Sequence, residues 1–225
     1  MPRFVVAILA LVLMSPIAAH AQAGSAAKSV EPFKVGTFRI GGASTVGAVL
    51  RDTLVVDLVQ ANAALQKSRS FPARAMPSDM VELIAGYEDG LKGRIYAIVN
   101  DLVQTKALEG KRPAYVRELK EVQTLAPIPR PRQIMMTAVN FYSHIAENAP
   151  PDARAKAVAA RKANRGTPYL WLKATSSIIG TGETVVMPYG RTELDWEVEL
   201  GTIIGRRARY VAAPKAEEHV SATPS

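Results

Sequence analysis

The stretch FKVGTFRIGGASTVGAVLRDTLVVDL, residues 33–58, constrains the fold more than any other part of this 225-residue chain. Three runs rich in β-branched residues, 33–40, 45–50 and 53–58, are separated by little more than Gly41-Gly42 and Arg51-Asp52. A glycine pair between such runs supplies the positive φ angles of a tight hairpin, and breaks this short leave no room for a crossover helix. Consecutive antiparallel strands are therefore expected, with at least one face buried against something apolar. The residues that follow offer that cover. Residues 59–66 read as a helix. A second helical region begins near Asp79, where Asp79 and Glu82 have capping-box spacing and Met80, Leu83, Ile84 and Tyr87 recur at helical intervals. Gly86, Gly90 and Gly93 interrupt its continuation, so a broken helical region is expected rather than one rod.

The proline-rich segment LAPIPRPR, residues 125–132, is extended by the restraints proline places on itself and on the residue before it. It divides the chain. Beyond it, residues 134–138 read as a short apolar strand that delivers Asn140, and the polar, alanine-rich residues 150–165 as a surface helix and loop. Residues 170–172, 184–187 and 194–204 are further strand candidates. At the other end, Arg3 precedes an apolar run over 4–14, then Pro16 and small residues that suit cleavage at Ala19-His20-Ala21 or Ala21-Gln22-Ala23. That order of charge, apolar run and small residues marks a secretory signal peptide, and the run is shorter than the ~20 residues a bilayer span requires. Export is expected, to the periplasm of a Gram-negative host, with no membrane span after cleavage.

Composition removes several classes of function. There is no cysteine, which excludes disulfides, thiolate metal sites and cysteine nucleophiles. Lys+Arg 28 against Asp+Glu 20 leaves a net charge of +8, but the cations are scattered in pairs such as Lys67/Arg69, Lys92/Arg94 and Lys111/Arg112. A nucleic-acid binder gathers such charge into one stripe with aromatics between, so no nucleic-acid partner is expected.

Two groups of residues can carry chemistry. In ELDWEVELGTII, residues 193–204, a strand would put Trp196, Val198 and Leu200 on one face and Glu193, Asp195, Glu197 and Glu199 on the other. Carboxylates two positions apart stand about 7 Å apart along a strand and can converge on one hard cation. The same pattern also describes a solvated acidic face. In NFYSHIAE, residues 140–147, His144 and Glu147 lie three apart. On a helix they share a face, where the carboxylate can hold the imidazole in one tautomer as a general base; the alternative is a surface contact.

Read together in order, PRPRQIMMTAVNFYSHIAEN, TPYLWLKATSSIIGTGETVVMP and LDWEVELGTIIGRRARYV resemble three successive blocks of the fumarylacetoacetate hydrolase family. The matching residues are Asn140, His144 and Glu147; then Lys173, Ser176, Gly180 and Pro188; then Asp195, Glu197, Glu199, Leu200 and Gly205. The resemblance spans about residues 129–220, and the hairpin-rich start is similar to the small N-terminal domain of many members. It implies an α+β, mainly β architecture: a small N-terminal α/β domain over residues 32–125, then a mixed β-sandwich roll from residue 129 to 225, with residues 1–23 as signal peptide and 24–31 as linker. It also implies a divalent ion, Mg²⁺ or Mn²⁺, with Glu197 and Glu199 as two ligands and His144 and Glu147 as a dyad orienting water. Lys173 and Tyr142 are the implied substrate-binding residues; Phe141 stands where the family usually has tyrosine, and Tyr142 beside it keeps a hydroxyl nearby. Members act on 2-oxo acids and β-diketo acids as hydrolases of C–C bonds, decarboxylases or isomerases, commonly as homodimers.

The family pattern continues with an aspartate as third metal ligand, in a block that the residues up to Ser225 do not contain, although AEEHV, residues 216–220, resembles the helix leading toward it. The expectation is an incomplete roll in a truncated chain, inactive alone. A non-catalytic, exported ligand-binding remnant is the alternative.

Overall fold

The computed structural model describes residues 28–68, 71–147 and 149–222. The signal-peptide reading of residues 1–23 and the first part of the linker lie outside the described residues.

Residues 33–58 form the expected hairpins. Strand β1 (Phe33–Ile40) pairs antiparallel with β2 (Ala43–Leu50) from Phe33↔Leu50 to Ile40↔Ala43. Gly41 and Gly42 turn the corner at φ +59° and +86°, the left-handed geometry of a two-residue loop matched to strand twist. The second corner uses Arg51 and Asp52, both at φ +55°, and leads into β3 (Leu54–Asp57). Arg51 is held by an ion pair to Glu31 at 3.0 Å, and Asp52 by one to Lys34 at 2.8 Å. Two strands too short to register in the sequence close the sheet: β4 (Val116–Glu118) beside β3, and β5 (Gln123–Thr124) beside β1. The order is β4-β3-β2-β1-β5, antiparallel throughout.

Both faces of this sheet are apolar. Val46, Ala48, Leu50, Leu54 and Val56 face a core shared with helix α1 (Leu58–Ser68) and helix α3 (Lys92–Gln104), where Leu58, Ile95 and Ile98 are fully buried. Each such side chain stabilises the fold by about 1.5–3 kcal/mol. On the other face Phe38, Ile40 and Val55 form a smaller cluster with Val49, Leu119 and Val122. Asp57 ends β3 and starts α1, accepting from Gln60 N at 3.0 Å. Asp79 caps α2 (Met80–Ala85), accepting from Val81 N and Glu82 N. The interruption expected among the glycines is a wide turn over Tyr87–Leu91, with Gly90 at φ +104°.

The proline-rich segment is fastened to the sheet. Leu125 N donates to Thr37 O at 2.9 Å, and the Thr37 hydroxyl donates to Pro127 O at 2.7 Å. From there the chain enters β6 (Ile134–Thr137), which pairs with β7 (Leu170–Lys173) as a two-stranded ribbon. Between them lie α4 (Tyr142–Glu147) and α5 (Arg154–Ala163), packed on each other.

The expected strand over 184–187 does not form, and that over 194–204 forms only at its last step. Residues 203–204 are β8 (Ile203–Ile204), paired with β9 (Val220–Ala222); the rest of both runs has no ladder partner among the described residues. Alternating polarity selects a face, but a strand also needs a neighbour for its backbone groups. Val186, Trp196 and Val198 consequently stand 80–88% exposed. Of AEEHV, residues 216–219 belong to a 3₁₀ segment (Ala213–His219) rather than an α-helix, and Val220 begins β9. Among the described residues no helix is long and apolar enough to cross a membrane.

Candidate functional site

The dyad forms. On α4, His144 Nδ1 lies 2.9 Å from Glu147 Oε2, the i,i+3 geometry of one helix face. A carboxylate only accepts, so Nδ1 is the donor, and in the neutral ring Nε2 is then the nitrogen with the lone pair. The pair is half or more exposed, at 51% and 67%, so the contact contributes only about 0.2–1 kcal/mol to stability. Its value is orientation.

Helix α5 packs against another side of α4, the one that carries Tyr142 and Ala146. Lys162 Nζ sits 5.1 Å from the centre of the Tyr142 ring, one helix removed from His144. A shallow groove of about 360 Å³ runs along the α4–α5 seam, lined by Ala146, Arg154, Val158 and Lys162. Lys173 ends β7, registered opposite Ile134, with its side chain in solvent. Ser176 lies in a short 3₁₀ turn (Thr175–Ser177) that follows, and Gly180 packs on the proline-rich segment. A Cβ on Gly180 would lie 3.1 Å from Leu125 Cα and Ala126 N, so a side chain there pushes on backbone.

Glu197 and Glu199 lie on the exposed run between 190 and 202, outside any strand. The two-faced acidic strand expected there is therefore corrected to an unpaired segment. Asp195 binds its own chain, accepting from Trp196 N at 2.9 Å. Glu197 and Glu199 supply hard oxygen donors suited to Mg²⁺ or Mn²⁺. Among the described residues, however, no three His, Asp or Glu side chains converge as a metal cluster. The donors have the right chemistry and too small a number, so the residues present do not make up a metal site by themselves.

Residues 133–223 match the family described as "Fumarylacetoacetate (FAA) hydrolase C-terminal". Among curated proteins, the human "Oxaloacetate tautomerase FAHD2A, mitochondrial" is 32% identical over 119 residues, 53% of this chain and 33% of that protein. "Maleylpyruvate hydrolase" of Aquipseudomonas alcaligenes is 34% identical over 103 residues, 46% of this chain and 36% of that protein. The chain thus spans about a third of the length of these relatives. A solved fumarylacetoacetate hydrolase from Exiguobacterium antarcticum shares the fold, with a TM-score of 0.50 at 22% identity over 84% of this chain and 53% of that one.

Proposed function

We infer that this chain, which through residues 133–223 belongs to the fumarylacetoacetate hydrolase family, carries part of an active site for small 2-oxo or β-diketo acids. Hydrolysis of an acylpyruvate-type C–C bond, or keto–enol isomerisation of the same substrates, is the reaction class. The observation that carries this reading is the 2.9 Å contact between His144 Nδ1 and Glu147 Oε2. The names of the relatives agree in class, one a maleylpyruvate hydrolase and another an oxaloacetate tautomerase.

The two reactions ask the same first act of the dyad. Glu147 holds His144 so that Nε2 can accept a proton. In hydrolysis the proton comes from water, whose oxygen adds to the ketone carbon; the neighbouring C–C bond then breaks, its electron pair leaving as an enolate that takes the proton back from Nε2. In isomerisation it comes from the carbon beside the ketone, and a proton returns to the enol oxygen. The Lys173 ammonium suits the substrate carboxylate, and the Tyr142 hydroxyl suits a polarised carbonyl oxygen. A divalent ion would add Lewis-acid stabilisation of an enolate, with Glu197 and Glu199 as two of its ligands. Export, which rests on residues 1–23 alone, would place this chemistry outside the cytoplasm.

A second reading, substrate binding without turnover, is favoured by the short donor set at Glu197 and Glu199. The two separate in one assay: absorbance of the acylpyruvate enol, followed with the purified chain and added Mn²⁺. Turnover lowered about 10²–10⁴-fold in His144→Ala, with protein fold retained, supports the enzyme. Turnover unchanged in that variant sinks the role given to the dyad. Saturable substrate binding with no turnover in the wild type establishes the second reading instead.

A further inference from the structure

Residues 193–209, ELDWEVELGTIIGRRAR, reverse their charge about Gly201: Glu193, Asp195, Glu197 and Glu199 precede it, and Arg206, Arg207 and Arg209 follow. From 191 to 202 the chain forms no helix, turn or strand. Among the described residues, no backbone–backbone hydrogen bond ties 192–202 to another part of the chain. Leu194, Trp196, Val198 and Leu200 are all more than half exposed there, and the three arginines are exposed as well. Apolar exposure gathered in one place marks a contact surface, and unpaired backbone beside it is a template for another strand. Natural edges are kept apart by charge, and a run of one sign would repel its own copy. Here the sign changes half-way, so a copy laid antiparallel meets opposite charge at both ends.

We propose that this run is a self-association surface, pairing antiparallel with the same run of a second copy about a two-fold axis at Gly201. Glu193 then faces Arg209, Asp195 faces Arg207, Trp196 faces Arg206 and Val198 faces Ile204, each pair occurring twice because the axis repeats it. The ion pairs share one face of the ribbon. The apolar pair shares the other face with Trp196, whose ring suits the Arg206 guanidinium as a cation–π partner.

The backbone of β8 fits that register. Gly205 N donates to His219 O at 2.9 Å, so the amides of Ile203 and Gly205 face β9 and that of Ile204 faces the opposite edge. Continued to Thr202 and Leu200, this alternation makes Gly201 a non-hydrogen-bonded pair across the axis. The two chains come closest at such a pair, and a residue without a side chain fits there. A bend at Arg206 ends the ladder, which therefore runs over 198–204, and the arginines beyond it reach the carboxylates through their long side chains. Because both copies use the same surface, the assembly closes at two. Neither His144 nor Glu147 takes part.

The chain has no cysteine, so an introduced one reports its own neighbour. In the purified full chain, Gly201→Cys is expected to form a disulfide-linked dimer under mild oxidation, since Cα atoms ~4.5 Å apart are within disulfide reach. The two copies of Val198→Cys would lie about 20 Å apart along the ribbon and should not crosslink. Sedimentation velocity on the cysteine-free chain should show a reversible monomer–dimer equilibrium. Asp195→Lys and Arg207→Glu, both at exposed positions, should each weaken it about tenfold, as two ion pairs become two repulsions. The double variant exchanges the signs and should restore it. A monomer at every concentration, or association that neither charge reversal weakens, overturns the proposal. So does equal crosslinking at 201 and 198, or a double variant no better than the single ones.

Discussion

Gly36 and Gly47 face each other across β1 and β2, and the Phe38 ring lies over both. A Cβ on Gly47 would sit 2.8 Å from Phe38 Cδ2 and 2.9 Å from Val55 Cγ1. Neither atom can swing aside, because Phe38 is 2% and Val55 0% exposed and both belong to short or ring-rooted parts of their side chains. Forcing a methyl into such a site costs typically about 1–3 kcal/mol. Alanine returns about 0.5–1 kcal/mol, since glycine in a strand loses more backbone freedom on folding. Gly47→Ala is therefore expected to destabilise by about 1–2 kcal/mol, the packing penalty outweighing the entropy gain. Urea unfolding followed by far-ultraviolet circular dichroism measures it. Phe38→Leu removes the ring and should relieve the clash, so a double-mutant cycle should show coupling of about 1 kcal/mol or more. If Gly47→Ala is as stable as the wild type, or its penalty is the same in the Phe38→Leu background, the ring-over-glycine account is wrong. The consequence reaches the site, because Thr37, next to Phe38, binds Leu125 N and Pro127 O and so aims the chain into β6.

Three other outcomes follow from named contacts. Asp79→Ala removes the acceptor for Val81 N and Glu82 N and should cost about 1 kcal/mol, read as a drop in melting temperature. Burial first, and then neighbouring Tyr96, push the Tyr87 phenol up to about 12. A raised folded-state pKa means stability that is intact below the unfolded value near 10 and declines as pH rises from there toward 12. Alkaline melts should show a shallower decline in Tyr87→Phe than in the wild type, the remainder coming from Tyr115, whose phenol burial also raises; identical slopes refute the assignment. Mn²⁺ should broaden the resonances around Trp196 with a midpoint of about a millimolar or weaker, the range of open sites with few charged ligands. Tight, saturable binding lost in Glu197→Ala shows instead that more donors converge there than two exposed carboxylates.

The parts of this molecule that sequence patterns describe well are those whose partners are close in the chain. The three hairpin strands were legible because Gly41-Gly42 and Arg51-Asp52 set both turn and register locally. The His144–Glu147 pair was legible because one helical turn brings it together, and Asp79 because a cap acts within three residues. Strands β4 and β5 were not, since three and two residues carry no period and are defined only by the distant strands they join. The run 194–204 failed for the converse reason: its alternation is clear, but ladder pairing is a property of two segments and only β8 finds one. Arg94 joins these principles. Its spacing of four and eight from Ile98 and Leu102 placed it on the buried face of α3, while its charge argued for solvent. Where period and polarity disagree at one residue, the structure has had to settle the conflict, and a buried charge is the trace that settlement leaves.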